Sequence, residues 1–131
     1  AGMVHLAWLG RRGFVELGEL LVRRTAYARE RLAAVEGLEL LDEAPVVREF
    51  PIRISAATSL ADTERVLEEC AAAGIAAGYP LGRDYPEHED CLLVALTERR
   101  SRADIDRLAD ALAGAVAAAG SAEPVTEGVA T

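Results

Sequence analysis

The chain has 131 residues, of which 51% are hydrophobic and 5% aromatic, and its 22 acidic and 14 basic side chains give a formal charge of −8. That length holds one ordinary domain and excludes a multidomain enzyme within these residues, while the apolar fraction excludes wholesale disorder. The acidic balance repels phosphate backbones and argues against a nucleic-acid partner.

All 14 basic residues are Arg; the sequence contains no Lys, Asn or Gln. Without Lys, no side chain of this chain can form a Schiff base with an aldehyde cofactor. Cys70 and Cys91 are too few for a disulfide framework, lack metal-ligand spacing and sit among apolar neighbours, so they read as small hydrophobes. No stretch of about 18 apolar residues spans a membrane, and no basic segment leads into a secretory apolar stretch. The reading is cytoplasmic and reduced, with no membrane partner.

Residues 1–9 already have helical character, with Val4, Ala7 and Trp8 on one face and no capping residue before them. This start points to a piece of something larger. Gly10 and Gly13 bracket Arg11-Arg12 as a break. From residue 14 to residue 35 the positions Phe14, Leu17, Leu21, Ala28, Leu32 and Val35 recur at helical spacing, with Thr25 on the same stripe and Glu19 four residues ahead of Arg23. A helix of that length spans over about 30 Å, more than a small domain needs for itself.

Residues 38–41 form a short strand candidate and residues 46–54 a longer one, with Val46, Phe50, Ile52 and Ile54 on one face. Pro51 lacks a ladder donor, which predicts an edge or a bulge. Ser59-x-x-Asp62 caps a helix whose face is Val66, Leu67, Cys70 and Ala73, ending at Gly74. A further short strand is expected over 75–77 and an irregular loop over 78–90. The apolar run 91–96 predicts a strand covered on both faces. Ser101-x-x-Asp104 caps a last helix with the stripe Ile105, Leu108, Ala109, Leu112 and Val116, and residues 120–131 read as a frayed tail. The fold class is α+β: a long N-terminal helix, then a small, mainly antiparallel sheet with helices on one face. The divisions are connecting helices over 1–37, a small domain over 38–119 and the tail beyond.

The segment Gly78-Tyr79-Pro80-Leu81-Gly82-Arg83-Asp84-Tyr85-Pro86 packs two glycines, two prolines and two tyrosines into nine residues, a stiff, shaped loop suited to a site or an interface. Arg83 has the geometry to clamp a carboxylate, although pairing with Asp84 or Glu87 is the commoner outcome. Glu87-His88-Glu89-Asp90 beside Cys91 does not read as a metal cluster, because consecutive strand residues point to opposite faces. His5 beside Trp8 reads as packed or partly exposed. Arg99, Arg100 and Arg102, at the start of the last helix, read as a solvated face with the alternative of an anion site. No phosphate-binding loop, dinucleotide fingerprint, CxxC or catalytic triad occurs.

Three stretches carry a resemblance: Gly78-Tyr-Pro-Leu-Gly-Arg-Asp-Tyr-Pro86, Leu92-Leu-Val-Ala-Leu-Thr-Glu98 and Ala103-Asp-Ile-Asp106, supported by Ala1-Gly-Met-Val-His-Leu-Ala-Trp-Leu-Gly10 and Arg48-Glu-Phe-Pro-Ile-Arg53. Over about residues 1–119 the chain resembles the C-terminal end of glycine dehydrogenase (decarboxylating), the P-protein of the glycine cleavage system, subunit 1. The resemblance implies a fold-type I pyridoxal-phosphate architecture, of which this chain would be the connecting helix and small domain. It implies glycine decarboxylation with transfer of the aminomethyl group to the lipoyl arm of the H-protein. The partners it implies are the rest of subunit 1 and subunit 2. The cofactor would be pyridoxal phosphate in the intact enzyme, held by no Lys of this chain. No catalytic residue of the family maps here, and Arg83 is the position to test for carboxylate binding. The competing reading is a stand-alone α+β binding, regulatory or oligomerisation module. Exposure separates the two: a part of the larger enzyme leaves Trp8, Phe14 and Leu17 uncovered, whereas a module buries them.

Overall fold

The structure, a computed structural model, describes residues 1–121; the expected tail lies outside these residues except for Gly120 and Ser121, which end the last helix. Helix α1 (Gly2–Ala33) is broken at one residue, Gly10, whose φ of 64° and ψ of 178° no helix accommodates. The expected break is there; Gly13 stays helical. Strand β1 (Leu38–Leu40) and strand β2 (Glu49–Ile54) follow, then α2 (Leu60–Ala72), strand β3 (Tyr79–Pro80), strand β4 (Cys91–Ala95) and α3 (Arg102–Ser121). The four strands form one antiparallel sheet in the order β1-β2-β4-β3.

Register explains which side chains meet. Leu38 pairs with Ile54, Ile52 with Leu92 and Phe50 with Val94, so these residues share one face of the pleat. All of them are buried, together with Ala28 and Leu32 of α1, Val66 and Cys70 of α2, and Ile105, Leu108 and Leu112 of α3. The helices therefore cover a single face, as the apolar stripes predict. Each fully buried Leu or Ile here contributes about 1.5–3 kcal/mol of hydrophobic stabilisation.

Two strand expectations fail on the other face. In β4 the far face is covered only at its start: Cys91 is buried, Leu93 half-buried and Ala95 exposed. The apolar run reflects small and half-shielded residues rather than a second helical layer. Pro51, expected at an edge, sits in β2 between two neighbours. The Ile54 amide donates to the Asp90 carbonyl at 2.8 Å and the Leu96 amide to the Arg48 carbonyl at 2.9 Å. Donors alternate along a strand, so the nitrogen of Pro51 faces the β1 side, beyond the end of β1 at Leu40. No ladder bond is lost. The same alternation makes Leu93–Tyr79 the bonded pair of β3 and β4, which leaves the nitrogen of Pro80 facing outward.

The strand expected over 75–77 forms instead at Tyr79–Pro80. A Cβ on Gly78 would stand 2.6 Å from the Leu93 carbonyl oxygen and 2.7 Å from Leu92 Cδ1. Only glycine lets the chain come that close to β4, and pairing starts immediately after it. The expected irregular loop over 78–90 likewise holds regular pieces: β3 and two 3-10 turns, Leu81–Arg83 and Pro86–His88. Proline, with φ preset near −65°, opens the second of these turns. Both capping signals form as read. The Asp62 amide donates to Ser59 Oγ at 3.3 Å while Ser59 Oγ donates to Asp62 Oδ2 at 2.9 Å, and Ser101 and Asp104 repeat the exchange at 3.1 and 2.8 Å. On α2, however, Ala73 is exposed, and the buried Thr63 takes its expected place in the core.

Candidate functional site

The loop after β3 is shaped from both ends. Pro80 is buried under the sheet edge, and Gly82 lies so near residue 89 that a Cβ would stand 2.7 Å from Glu89 Cα. The Tyr85 amide donates to the Leu81 carbonyl at 2.9 Å, closing the first turn. Within this frame Tyr79 and Tyr85 remain exposed, and the Tyr79 hydroxyl donates to Asp84 Oδ2 at 3.0 Å. That bond, with a smaller contribution from burial, holds the Tyr79 phenol above its ordinary range.

Arg83 pairs with neither Asp84 nor Glu87. Its Nε donates to Glu64 Oε1 on α2 at 2.8 Å, Nη2 stands 2.7 Å from the same oxygen in an ion pair, and its guanidinium lies 5.9 Å from the centroid of the Tyr79 ring. The 3-10 turn carries it back over α2, with Gly82 against Leu60. Sequence reasoning missed Glu64 because a residue 19 positions away leaves no periodic signal. A cleft of about 350 Å³ lies beside this pair, lined by Glu64, Leu67, Glu68, Tyr79, Pro80 and Arg83. Arg83, Tyr79 and Pro80 therefore meet at one place, whereas no contact joins Tyr85 to this cleft.

The acidic stretch 87–90 divides. Asp90 accepts from Arg53 Nε at 2.9 Å and from the Cys91 thiol at 3.1 Å, and Arg53 also faces Glu39 at 3.5 Å. Burial and the Asp90 carboxylate push the Cys91 thiol up to about 11, so it stays a protonated, inert thiol. Burial acts most strongly on Asp90 and opposes its ionisation, yet the thiol and Arg53 together hold its carboxyl below the usual range. His88 Nδ1 is buried without a hydrogen-bond partner among the described residues. Of the three arginines around the start of α3, Arg102, its first residue, covers the Tyr27 ring at 4.9 Å and Arg100 lines a second cleft of about 350 Å³ with Ile75, Leu96, Ile105 and Arg107. No Arg99 contact contributes to either cleft.

The first part of α1 is bare. Trp8 is 81% and Phe14 56% exposed, Leu17 is only half-buried, and Met3, Val4, Leu6 and Val15 are exposed as well. His5 lies 6.5 Å from Trp8, ring centre to ring centre, and is itself exposed. From Thr25 onward the same helix is embedded in the core, with Thr25, Ala28 and Leu32 fully buried. An isolated module has no reason to hold so many large apolar groups in water.

No family model matches the chain. Among curated proteins, it is 40% identical over 112 residues, 86% of its length, to the Probable glycine dehydrogenase (decarboxylating) subunit 1 of Desulfovibrio desulfuricans. It is 39% identical over 115 residues to the protein of the same name from Geotalea uraniireducens. This chain is homologous to part of glycine dehydrogenase (decarboxylating) subunit 1. It spans about a quarter of the length of those relatives, 24% and 25% respectively. A solved glycine decarboxylase (P-protein) of the glycine cleavage system, in inhibitor-bound form, superposes with a TM-score of 0.75 at 26% identity, covering 87% of this chain and 24% of that one. The glycine decarboxylase fold thus contains this arrangement of long helix, four-stranded sheet and covering helices.

Proposed function

We propose that the chain serves as the connecting helices (residues 1–37) and small α+β domain (residues 38–119) of a pyridoxal-phosphate-dependent glycine dehydrogenase (decarboxylating). In this reading the intact enzyme, acting in the cytoplasm, decarboxylates glycine and passes the aminomethyl group to the lipoyl H-protein. Its partners are the rest of subunit 1 and subunit 2. The observation that carries the reading is the bare first half of α1, taken together with the sequence kinship of the chain to subunit 1. A surface of Trp8, Phe14 and Val15 is what a helix presents when a larger body packs on it.

The residues of this chain do not fit the cofactor. There is no Lys to bind its aldehyde, and the two side chains that hold buried polar atoms without partners among the described residues, Arg29 (Nε) and His88 (Nδ1), line neither cleft. No chemical step is therefore assigned to these residues. Gly78, Tyr79, Pro80, Gly82, Arg83 and Tyr85 are assigned a substrate or interface role, with Arg83 and the exposed rings of Tyr79 and Tyr85 as its contact groups.

The test is glycine-dependent release of carbon dioxide, measured with the assembled subunits and H-protein. Activity is expected with the complete polypeptide and absent for this chain alone. Full activity from an assembly lacking residues 1–119 overturns the reading.

A further inference from the structure

Four side chains at the base of α1 leave the helix alternately to two sides. Thr25 and Arg29, one turn apart, reach the segment between β1 and β2. Thr25 Oγ1 donates to the Val47 carbonyl at 2.6 Å, Arg29 Nη1 to the Ala44 carbonyl at 2.6 Å, and Arg29 Nη2 to the Asp42 carbonyl. Tyr27 and Arg31, also one turn apart, reach α3: the Tyr27 hydroxyl and Arg31 Nε each donate to Asp106 Oδ1 at 2.7 Å. Arg102 lies over the Tyr27 ring from the same side. Between the two flanks, Ala28 and Leu32 are sealed in the core.

We propose that this two-sided clasp fixes the direction of α1, so that residues 11–24 are carried as a rigid extension of the sandwich, and that the helix bends at Gly10. A helix gripped on one flank can still roll or pivot about that contact. Gripped on both flanks and keyed into the core between them, it can do neither. Beyond the clasp the helix is continuous back to residue 11. Gly10 is its one non-helical residue, and nothing lies within 4 Å of where its Cβ would be, so no packing holds that corner. Asp106 is then a positioning residue, acting on the uncovered surface through Tyr27 and Arg31. The inference holds whatever body covers that surface.

Spin labels on the intact chain, diluted with unlabelled chain, test both halves. Cys70 and Cys91 are buried, so labels introduced by Glu19→Cys and Ala95→Cys report the clasp, and His5→Cys with Glu19→Cys report the corner. The 19–95 pair is expected to give one narrow distance peak, lost in the Arg29→Ala/Asp106→Ala double variant. Tyr27→Phe removes a single hydroxyl and keeps the test informative if the double variant fails to fold; it is expected to broaden the peak. The 5–19 pair is expected to be broad, and to narrow in Gly10→Ala, where a side chain disfavours the left-handed corner. A broad 19–95 distribution in the parent chain overturns the clasp, as does a peak still narrow in the folded double variant or in Tyr27→Phe. A narrow 5–19 distribution in the parent, or one unchanged in Gly10→Ala, overturns the corner.

Discussion

The Thr63 hydroxyl, fully buried on α2, donates to the Glu89 carbonyl at 2.6 Å. One bond thus ties the helix below the sheet to the end of the loop that precedes β4. Thr63→Val keeps the shape and removes the donor, leaving that carbonyl without its partner. The expected loss is about 1–2 kcal/mol, read from the urea midpoint, with no change in the slope of the transition. An unchanged midpoint contradicts the role given to this bond.

Gly78 is the second place where one atom decides the fold. A methyl group there meets the Leu93 carbonyl and the Leu92 side chain, and the backbone of β4 cannot retreat without parting from β2. Gly78→Ala is expected to cost about 1–3 kcal/mol and to lower the thermal midpoint. Gly2→Ala, whose Cβ would meet nothing, is the control and leaves the midpoint in place.

The uncovered stretch of α1 gives a solution prediction. The chain by itself should bind an apolar fluorescent dye or self-associate, and Trp8→Ser with Phe14→Ser should reduce both. Thermal stability should stay within about 0.5 kcal/mol, because these side chains are already in water. Light scattering showing a monomer that binds no dye counts against a docking role for the helix.

Acid should weaken the fold in a defined window. Asp62 is held below its ordinary range chiefly by the Thr58 amide and the Ser59 hydroxyl, Asp104 by the Ser101 amide and hydroxyl, and Asp106 by Tyr27 and Arg31. For a carboxyl lowered by folding, the stabilisation is fully present above the unfolded value near about 4 and disappears as pH falls through the folded value. The urea midpoint should therefore hold from pH 7 to 5 and fall below pH 4. Asp104→Asn should flatten that fall, because it removes one of the groups that must be protonated.

Local signals in the sequence foretold the elements with local causes. The two Ser-x-x-Asp caps, the stripe from Ile105 to Val116 and the break at Gly10 all depend on residues within a few positions of one another. What the sequence did not disclose depends on register. Pro51 looks like an edge residue until β1 is known to stop at Leu40, and the β3 pairing is set by how closely Gly78 approaches β4. The candidate loop was legible from its composition, but Arg83's partner was not, since Glu64 comes near only once α2 folds back under the sheet. Asp106 stood within a quoted motif; its two donors lie 75 and 79 residues earlier, where no pattern links them.

The outward-facing nitrogen of Pro80 bears on how this domain behaves in a crowded cell. The rim of a sheet is a template on which other chains can polymerise, and β3 offers only two residues there, one of them without a donor. Ribbon-to-ribbon growth stalls at that rim, which is one of the sheet's two edges, β1 being the other, and the apolar flank of α1 remains a further surface open to stray association.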